Sequence, residues 1–322
     1  VGLASGKLTF KNINLIETLK GNSILGGLVA HSAYQVSAEN IFSSSSITGQ
    51  NTIGGLFGQL NILDTQNFTV KSCILKNLTL TGTDNIGGLI GHINCLTISE
   101  YFTTPENYLL DTTISGNITA NNNVGSLIGY LNTQSISLSY RQEKNITKSH
   151  TTNIQIMNNL STPTLTCNTN CGGLIGFNNN TNTSTGTYSY RQGANGHYET
   201  ITWTYTLIRS IGFKIINSTF LGQIIDSSAY SIGGIFGTST NISNADLIII
   251  KNFSSAANIN SNGGVIIGTG ALESGALSAN NVYYWTEGGT PYPVAGKEDD
   301  RFIGFKYKNG RAYIPAYNSY LI

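Results

Sequence analysis

Charged side chains are scarce in this sequence. Lys, Arg, Asp and Glu make up 10% of its 322 residues, whereas about 25% is usual in globular proteins. The net charge is +1, and no stretch of the chain concentrates Lys and Arg. Binding to nucleic-acid phosphates requires such a concentration, so we expect no nucleic-acid partner.

Long apolar runs and helix signals are missing too. No run of 18 apolar residues occurs, which argues against a membrane-spanning helix. No segment sustains the apolar period of an amphipathic helix between helix caps. Instead, short runs rich in Ile, Val, Thr and Phe alternate with turns rich in Asn, Asp, Gly and Thr. Because the former residues favour pleated strands, the sequence predicts an all-β chain.

Catalytic signatures are also missing. The sequence has no phosphate-binding loop, no H-E-x-x-H and no G-x-S-x-G motif. Among the four His, His31 and His92 each follow a glycine-rich stretch, which predicts wall or turn residues. Acidic residues cluster only at 298–300, beside Lys297 and Arg301, and this pattern favours a solvated charge run over a calcium site. Since glycosidic cleavage uses paired carboxylates, we expect no enzyme, and also no cofactor or metal.

A glycine-rich stretch recurs along the chain. Its clearest copy is Asn85-Ile86-Gly87-Gly88-Leu89-Ile90-Gly91, and the other copies lie at 25–29, 53–58, 124–129, 171–176, 232–237 and, more loosely, 263–268. Self-similarity at a spacing of tens of residues is typical of stacked repeat proteins, whose neighbouring units bury one another's apolar faces. We expect Ile53, Ile86, Val124, Cys171 and Ile232 to form one column with a spacing of about 4.8 Å.

The spacing of the copies indicates the domain organisation. The first glycines of successive copies are 28, 33, 38, 47, 61 and 30 residues apart, which predicts insertions at about 132–166 and 178–212. Residues 1–285 would form the repeat domain. Residues 286–322 would form a loop and a β-hairpin that turns at Asn309-Gly310 and serves as a cap or an assembly element.

The repeats resemble the GLUG repeat, which is found in surface proteins and adhesins of bacteria and protists. The resemblance is clearest over 71–91, where a small-residue strand and a turn precede Gly87-Gly88-Leu89-Ile90-Gly91, and it extends over roughly residues 8–285. Ala30 and Ser126 depart from it because each stands where the pattern has a glycine. The resemblance implies a right-handed parallel β-solenoid of about seven repeats, located outside the cell or on its surface, and it implies no catalytic residues.

The four cysteines leave alternatives open. Cys167 and Cys171 are close enough in sequence to close a small loop, and Cys73 and Cys95 are candidates to meet across neighbouring strands. The alternative is four buried thiols.

Ten asparagines begin N-glycosylation sequons, although composition alone would give roughly eight. Asn145, Asn159, Asn179 and Asn182 fall in the predicted insertions, where a glycan would meet no neighbouring strand, and are the first candidates. The full set is Asn67, Asn77, Asn117, Asn145, Asn159, Asn179, Asn182, Asn217, Asn241 and Asn252.

Both predicted insertions contain the sequence Ser-Tyr-Arg-Gln, at 139–142 and 189–192, which suggests duplicated loops or hairpins side by side. Their aromatic and guanidinium groups are of the kind that contacts sugars or anchors protein interfaces. The alternative is that they pack the insertions onto the solenoid wall. The candidate surface comprises Tyr140, Arg141, Tyr190, Arg191, Tyr198, Trp203 and Tyr205.

We expect a noncatalytic extracellular structural protein, a subunit of a surface filament that self-associates through solenoid ends and faces. Strand alternation across 86–91 would expose a column of Leu residues as an apolar interface, and the C-terminal hairpin would reach a neighbouring subunit. The alternative is an adhesin module that binds glycan or protein through its insertions. A polysaccharide-acting enzyme is a distant third interpretation.

Overall fold

The computed structural model describes residues 2–4, 6–63, 66–97, 106–135, 146–179, 182–194, 197–242, 248–255, 267–272, 277–284, 306–308, 311–314 and 319–320. Most of these residues lie in strands and none lies in a helix, which confirms the predicted all-β class. Accordingly, no described helix is long and apolar enough to cross a membrane.

Thirty strands make up the described part of the chain. In the first half they are β1 (Leu3–Ala4), β2 (Leu8–Lys20), β3 (Leu25–Gly26), β4 (Val29–Ser32), β5 (Val36–Thr48), β6 (Ile53–Gly54), β7 (Phe57–Leu63), β8 (Phe68–Lys71), β9 (Ile74–Thr81), β10 (Asp84–Gly87), β11 (Ile90–Thr97), β12 (Glu106–Leu110), β13 (Thr113–Thr119), β14 (Asn122–Gly125), β15 (Ile128–Ser135) and β16 (Ile146–Met157). In the second half they are β17 (Leu160–Ser161), β18 (Thr164–Gly172), β19 (Ile175–Asn179), β20 (Asn182–Ala194), β21 (His197–Ile216), β22 (Thr219–Phe220), β23 (Gln223–Gly233), β24 (Phe236–Ile242), β25 (Ile248–Ser255), β26 (Ile267–Leu272), β27 (Leu277–Tyr284), β28 (Lys306–Lys308), β29 (Arg311–Ile314) and β30 (Ser319–Tyr320).

The strands stack as a parallel β-solenoid. One sheet, here called the narrow sheet, takes one strand from each rung in the order β1-β4-β7-β11-β15-β19-β24-β26, and its pairs are all parallel. The remaining strands of the rungs form the wide sheet. Ile53, Ile86, Val124, Cys171 and Ile232 are successive partners in the wide sheet, so the predicted column is confirmed.

Each rung turns at corners where asparagine-like residues adopt a left-handed backbone. In the first column of corners φ lies between 49° and 56°, at Asn12, Asn40, Ser72, Asp111, Asn158 and Asn217. Asn85, Asn123 and Asn170 form a second column with φ of 53° to 56°. Asn and Asp tolerate this conformation better than other residues with a side chain. The amides also bond along the axis, since Asn123 Nδ2 donates to Asn85 Oδ1 over 2.8 Å and Asn170 Nδ2 donates to Asn123 Oδ1 over 2.7 Å.

The glycine-rich stretch is a sharp vertex between the two sheets, and this corrects one expectation. The chain bends at Gly88 and Leu89 between β10 and β11, so the two strands do not continue as one. The Leu column expected on the surface is buried in the core instead: Leu56, Leu89, Leu127, Leu174 and Ile235 are each 0% exposed. The exposed apolar interface predicted from strand alternation is therefore wrong.

The first predicted insertion is mostly a regular rung. β16 pairs in parallel with β12, β17 and β18 pair with β13, and β18 also pairs with β14. Within 132–166, only residues 136–145 fall outside the described ranges. The longer spacing between glycines at this point thus comes partly from β16, which at 12 residues is longer than the five-residue β12.

The second predicted insertion contains a true hairpin. β20 and β21 pair antiparallel from Asn182 opposite Arg209 to Ala194 opposite His197. From Tyr205 onward, β21 pairs in parallel with β16 and continues the rung.

The C-terminal segment forms a small antiparallel sheet. β28 pairs antiparallel with β29 in a register that places Lys308 opposite Arg311, and β30 adds a third strand. The predicted turn at 309–310 lies outside the described residues. β30 also lies against β27, so the segment contacts the solenoid of its own chain.

Candidate functional site

The β20–β21 hairpin projects from a buried anchor. Residues 182–186 of β20 pair with 205–209 of β21, and the opposite edge of that part of β21 pairs with β16. Arg209, Ser210 and Ile211 are buried at the base. Beyond the base, residues 187–194 and 197–204 pair only with each other among the described strands. The hairpin is thus held in the wide sheet at one end and extends beyond it at the other.

The register separates the predicted binding residues between the two faces of the hairpin. Residues directly opposite each other share a face. Tyr190, Trp203 and Tyr205 fall on one face, since Tyr190 is opposite Ile201 and Trp203 is opposite Tyr188. Arg191 and Tyr198 fall on the other face, so the single surface predicted from sequence is wrong for these two residues. Tyr140 and Arg141 lie outside the described residues.

The face that carries Arg191 and Tyr198 consists mainly of a ladder of Thr and Ser residues. Pairs such as Thr187–Thr204 and Ser189–Thr202 lie opposite each other, and the Ser189 and Thr202 hydroxyl oxygens are 2.9 Å apart. These side chains are exposed, as are those of Thr183, Thr185 and Thr200. The alternation of the sequence, with Thr or Ser at every second position, is what produces this ladder.

A second surface, on the outer side of the narrow sheet, is one that the sequence reasoning missed. The residue that follows the last glycine position of each repeat occupies one column, which contains His31, Gln59, His92, Tyr130 and Phe177. The ring centroids of His92 and Tyr130 are 4.9 Å apart, and those of Tyr130 and Phe177 are 5.3 Å apart with 23° between their planes. The recurring position after the glycine was the signal that could have revealed this column.

A column of asparagines runs beside these rings. Asn61, Asn94, Asn132 and Asn179 are register partners from rung to rung. Each makes a hydrogen bond within the chain. Asn61 Nδ2 donates to His31 Nε2, and Asn132 Oδ1 accepts from His92 Nε2, both over 2.9 Å. Asn94 Nδ2 donates to Gln134 Oε1, and Asn179 Oδ1 accepts from Thr240, both over 3.0 Å. We call the two columns together the ring–amide face.

Charge is distributed unequally between the two sheets. The eight strands of the narrow sheet contain no Lys, Arg, Asp or Glu. The wide sheet carries Lys11, Glu39, Lys71, Glu106 and Lys214, among others, and Lys11 pairs with Glu39 at 2.8 Å. Burial lowers the pKa of His92, and proximity to His31 adds to the effect, while the hydrogen bond with Asn132 opposes it. His92 is therefore neutral near pH 7, in agreement with its predicted place in the wall.

The described residues bring no chemical centre together. They contain no group of three or more His, Cys, Asp or Glu side chains placed to share a metal ion. His150 is buried inside the solenoid beside Arg209, its register partner. The acidic run at 298–300 lies outside the described residues.

The cysteines take one of the two predicted pairings. Cys167 and Cys171 form a disulfide, with 6.2 Å between their Cα atoms. Cys73 and Cys95 are separate, buried thiols, so their predicted pairing is wrong. The reason is topological, because Cys73 lies at the corner between β8 and β9 whereas Cys95 lies in the opposite, narrow sheet between Ile62 and Thr133. Burial raises the pKa of both thiols, that of Cys95 to about 12.

The sequons differ in accessibility. Asn77, Asn117 and Asn217 are exposed. Asn67 and Asn179 are half-buried and accept hydrogen bonds from Gln35 and Thr240. Asn182, Asn241 and Asn252 lie within β20, β24 and β25, and Asn145 lies outside the described residues.

Asn159 is a poor glycan acceptor in the folded chain. Its side chain is 2% exposed, and its Oδ1 accepts from the Thr112 backbone N–H while its Nδ2 donates to the Leu109 carbonyl, both over 2.9 Å. Its place among the first candidates for glycosylation is therefore wrong.

Comparisons of this chain with protein-family models, with curated proteins and with solved structures found no match.

Proposed function

We propose that this chain is a noncatalytic protein of the cell surface or extracellular space whose β20–β21 hairpin attaches it to a glycan or to another surface protein. The observation that carries the proposal is the hairpin itself, which is anchored by a ladder to β16 and extends beyond the solenoid with both long edges of its outer part unpaired among the described strands. Elements that project from a rigid scaffold are where binding residues concentrate. The location follows from the resemblance of the repeats to GLUG-repeat surface proteins.

The two faces of the hairpin offer different chemistry. The register places Tyr188, Tyr190 and Trp203 together on one face, and aromatic side chains give large contact areas to sugars and proteins at low entropic cost. The exposed Thr and Ser hydroxyls of the other face are donors and acceptors for polar partners. We assign attachment to the aromatic face.

The test is to replace residues 187–204 with a two-residue Asn-Gly turn, which keeps the pairing of 182–186 with 205–209. Intact protein should be retained on an array of immobilised glycans or on intact cells, and the shortened protein should not, although both should unfold at the same temperature. Tyr190→Ala with Trp203→Ala should reproduce the loss. The matched control, Thr187→Ala with Thr202→Ala on the hydroxyl face, should bind normally. Equal retention of the intact and shortened proteins would refute the proposal.

The second candidate is the filament subunit expected from the repeats. It is favoured by the first described rung, where the outer edge of β2 has no partner among the described strands and Ile16 is 78% exposed. Unpaired strand edges associate with other chains unless they are protected. Electron microscopy of the intact chain should then show fibrils that Ile16→Lys abolishes, and isolated particles at high concentration would contradict this function.

A further inference from the structure

We propose that the ring–amide face of the narrow sheet is a contact surface for the same face of a second copy of this chain. The first supporting observation is the absence of charge, because none of the eight strands in this sheet contains Lys, Arg, Asp or Glu. Depletion of charge together with enrichment of aromatic residues distinguishes the centre of a protein interface from ordinary surface. The inference does not depend on the hairpin, which belongs to the other sheet.

The spacing of the face selects the kind of partner. Its side chains form rows that repeat once per rung, with ring centroids 4.9 and 5.3 Å apart along one column. Rows at the spacing of β-strands interdigitate tightly only with rows of the same spacing, as in the paired sheets of steric zippers. A second copy of the chain carries that spacing by construction, whereas an unrelated globular surface does not.

The hydrogen bonding of the face argues against a polysaccharide as the occupant. The Asn61, Asn94, Asn132 and Asn179 side chains each bond to a neighbour in their own chain, which leaves fewer groups for sugar hydroxyls. The rings of Tyr130 and Phe177 are stacked along the column, so they turn their flat faces towards each other and their edges outward. A sugar ring packs against a flat aromatic face, whereas ring edges and paired amides suit a dry, flat protein surface.

The area is sufficient for a weak, specific dimer. The described strands β4, β7, β11, β15, β19 and β24 have fourteen outward positions, which include the ring–amide face. At about 4.8 Å by about 6.7 Å each, these positions give a face on the order of 450 Å² in projection, so two copies bury about 900 Å² of accessible surface. That total is at the lower limit for specific interfaces, and we expect a dissociation constant in the micromolar range.

The test is sedimentation equilibrium of the full chain over a range of concentrations up to about 100 μM. The intact protein should pass from one copy to two, and its association should not weaken when NaCl is raised from about 0.05 to about 0.5 M, because no charge pairs contribute. Gln59→Lys, a nearly isosteric change on the face, should weaken association at least tenfold. Since the dimer is isologous, each substitution places two ammonium groups in the contact. Tyr130→Lys should have the same effect.

The matched control is Thr79→Lys, which adds the same charge at an exposed position of β9 in the wide sheet and should leave association unchanged. Circular dichroism of each variant distinguishes loss of association from loss of folding. If Tyr130→Lys unfolds, Gln59→Lys still provides the test, because it removes only one side-chain hydrogen bond, to Asn61. An intact chain that remains a single copy throughout would overturn the proposal. Thr79→Lys that weakens association as much as Gln59→Lys does would also overturn the proposal. So would a chain that binds a neutral polysaccharide as a monomer and loses that binding in Gln59→Lys.

Discussion

Replacing Gly129 with alanine tests the packing at the glycine vertex, on which the stacking of the rungs depends. A methyl group at this position would lie 2.5 Å from the Ile86 backbone nitrogen, 2.6 Å from the Asn85 carbonyl carbon and 2.7 Å from the Gly91 carbonyl oxygen. All three atoms belong to the backbone of the preceding rung. Glycine is needed at this position because β15 lies directly against the backbone of β10, the strand that precedes the vertex in the preceding rung.

The expected cost is large because the obstructing atoms cannot move independently. Ordinary contact begins at 3.4 Å, so the backbone would have to shift by about 0.9 Å, the difference between 3.4 and 2.5 Å. Ile86 is paired with Ile53 on one side and Val124 on the other, so a shift breaks ladders in both directions. Overpacking against side chains costs about 1–3 kcal/mol, and against fixed backbone we expect at least about 4 kcal/mol.

The assay is urea unfolding of Gly129→Ala and of Gly6→Ala, followed by circular dichroism. A β-carbon at Gly6 would meet no atom within 4 Å, so this matched Gly-to-Ala change should be neutral or stabilising by up to about 1 kcal/mol. Because solenoid stability is a sum over neighbouring repeats, Gly129→Ala should also split unfolding into two transitions. An unfolding free energy for Gly129→Ala within about 1 kcal/mol of the unmodified protein would refute this account of the vertex.

Three further predictions concern the corners and the buried titratable groups. Asn123→Ala should lower the free energy of unfolding in urea by about 2–3 kcal/mol, because it removes two side-chain hydrogen bonds and strains a backbone with φ of 55°. Asn123→Gly should recover about 1 kcal/mol of this loss, and equal unfolding free energies for the two variants would contradict the strain argument. Burial lowers the pKa of His92 below 6.5, so the unfolded state takes up a proton at a higher pH than the folded state. The free energy of unfolding should therefore fall as pH drops below 6.5, and it should fall less in His92→Gln; identical dependence on pH in the two proteins would contradict this. Because burial raises the pKa of Cys95 from 9.0 to about 12, the stability it contributes should be lost as pH rises through that range, and Cys95→Ala should lack this part of the alkaline loss.

The fold was predictable because its signal is repeated. Described glycines such as Gly87 and Gly129 lie against backbone atoms of neighbouring rungs. Because this requirement recurs from rung to rung, one repeated pattern predicted the column from Ile53 to Ile232. The departures also have structural reasons. Ala30 lies where most of the other repeats have glycine. The strand before this vertex, β3, pairs only with β6 among the described strands, so no described strand lies on its other side to contact the Ala30 methyl group. Ser126 turns its hydroxyl to donate to the Gly173 carbonyl.

The candidate surfaces were predictable only in part. Residues 197–205 alternate polar with apolar or aromatic side chains, which is the pattern of a strand, and they lie in β21. Which residues share a face of the hairpin depends on the register between β20 and β21, and this placed Arg191 opposite Thr200 and apart from Trp203. Register is set by the turn and by pairing with neighbouring strands, and neither can be read from the spacing of aromatic residues.

The sequence by itself determined the all-β class, the stacking of the repeats and the column of residues before the glycines, because these follow from local propensity and from a period that recurs in the chain. Only the tertiary structure decided that the Leu column faces inward, that most of 132–166 is a rung, and that Cys73 and Cys95 remain apart. For the Leu column, the physical reason is the bend at Gly88 and Leu89, which places β10 and β11 in different sheets. A strand pattern specifies alternation between two faces, but the path of the folded chain decides which face meets the core.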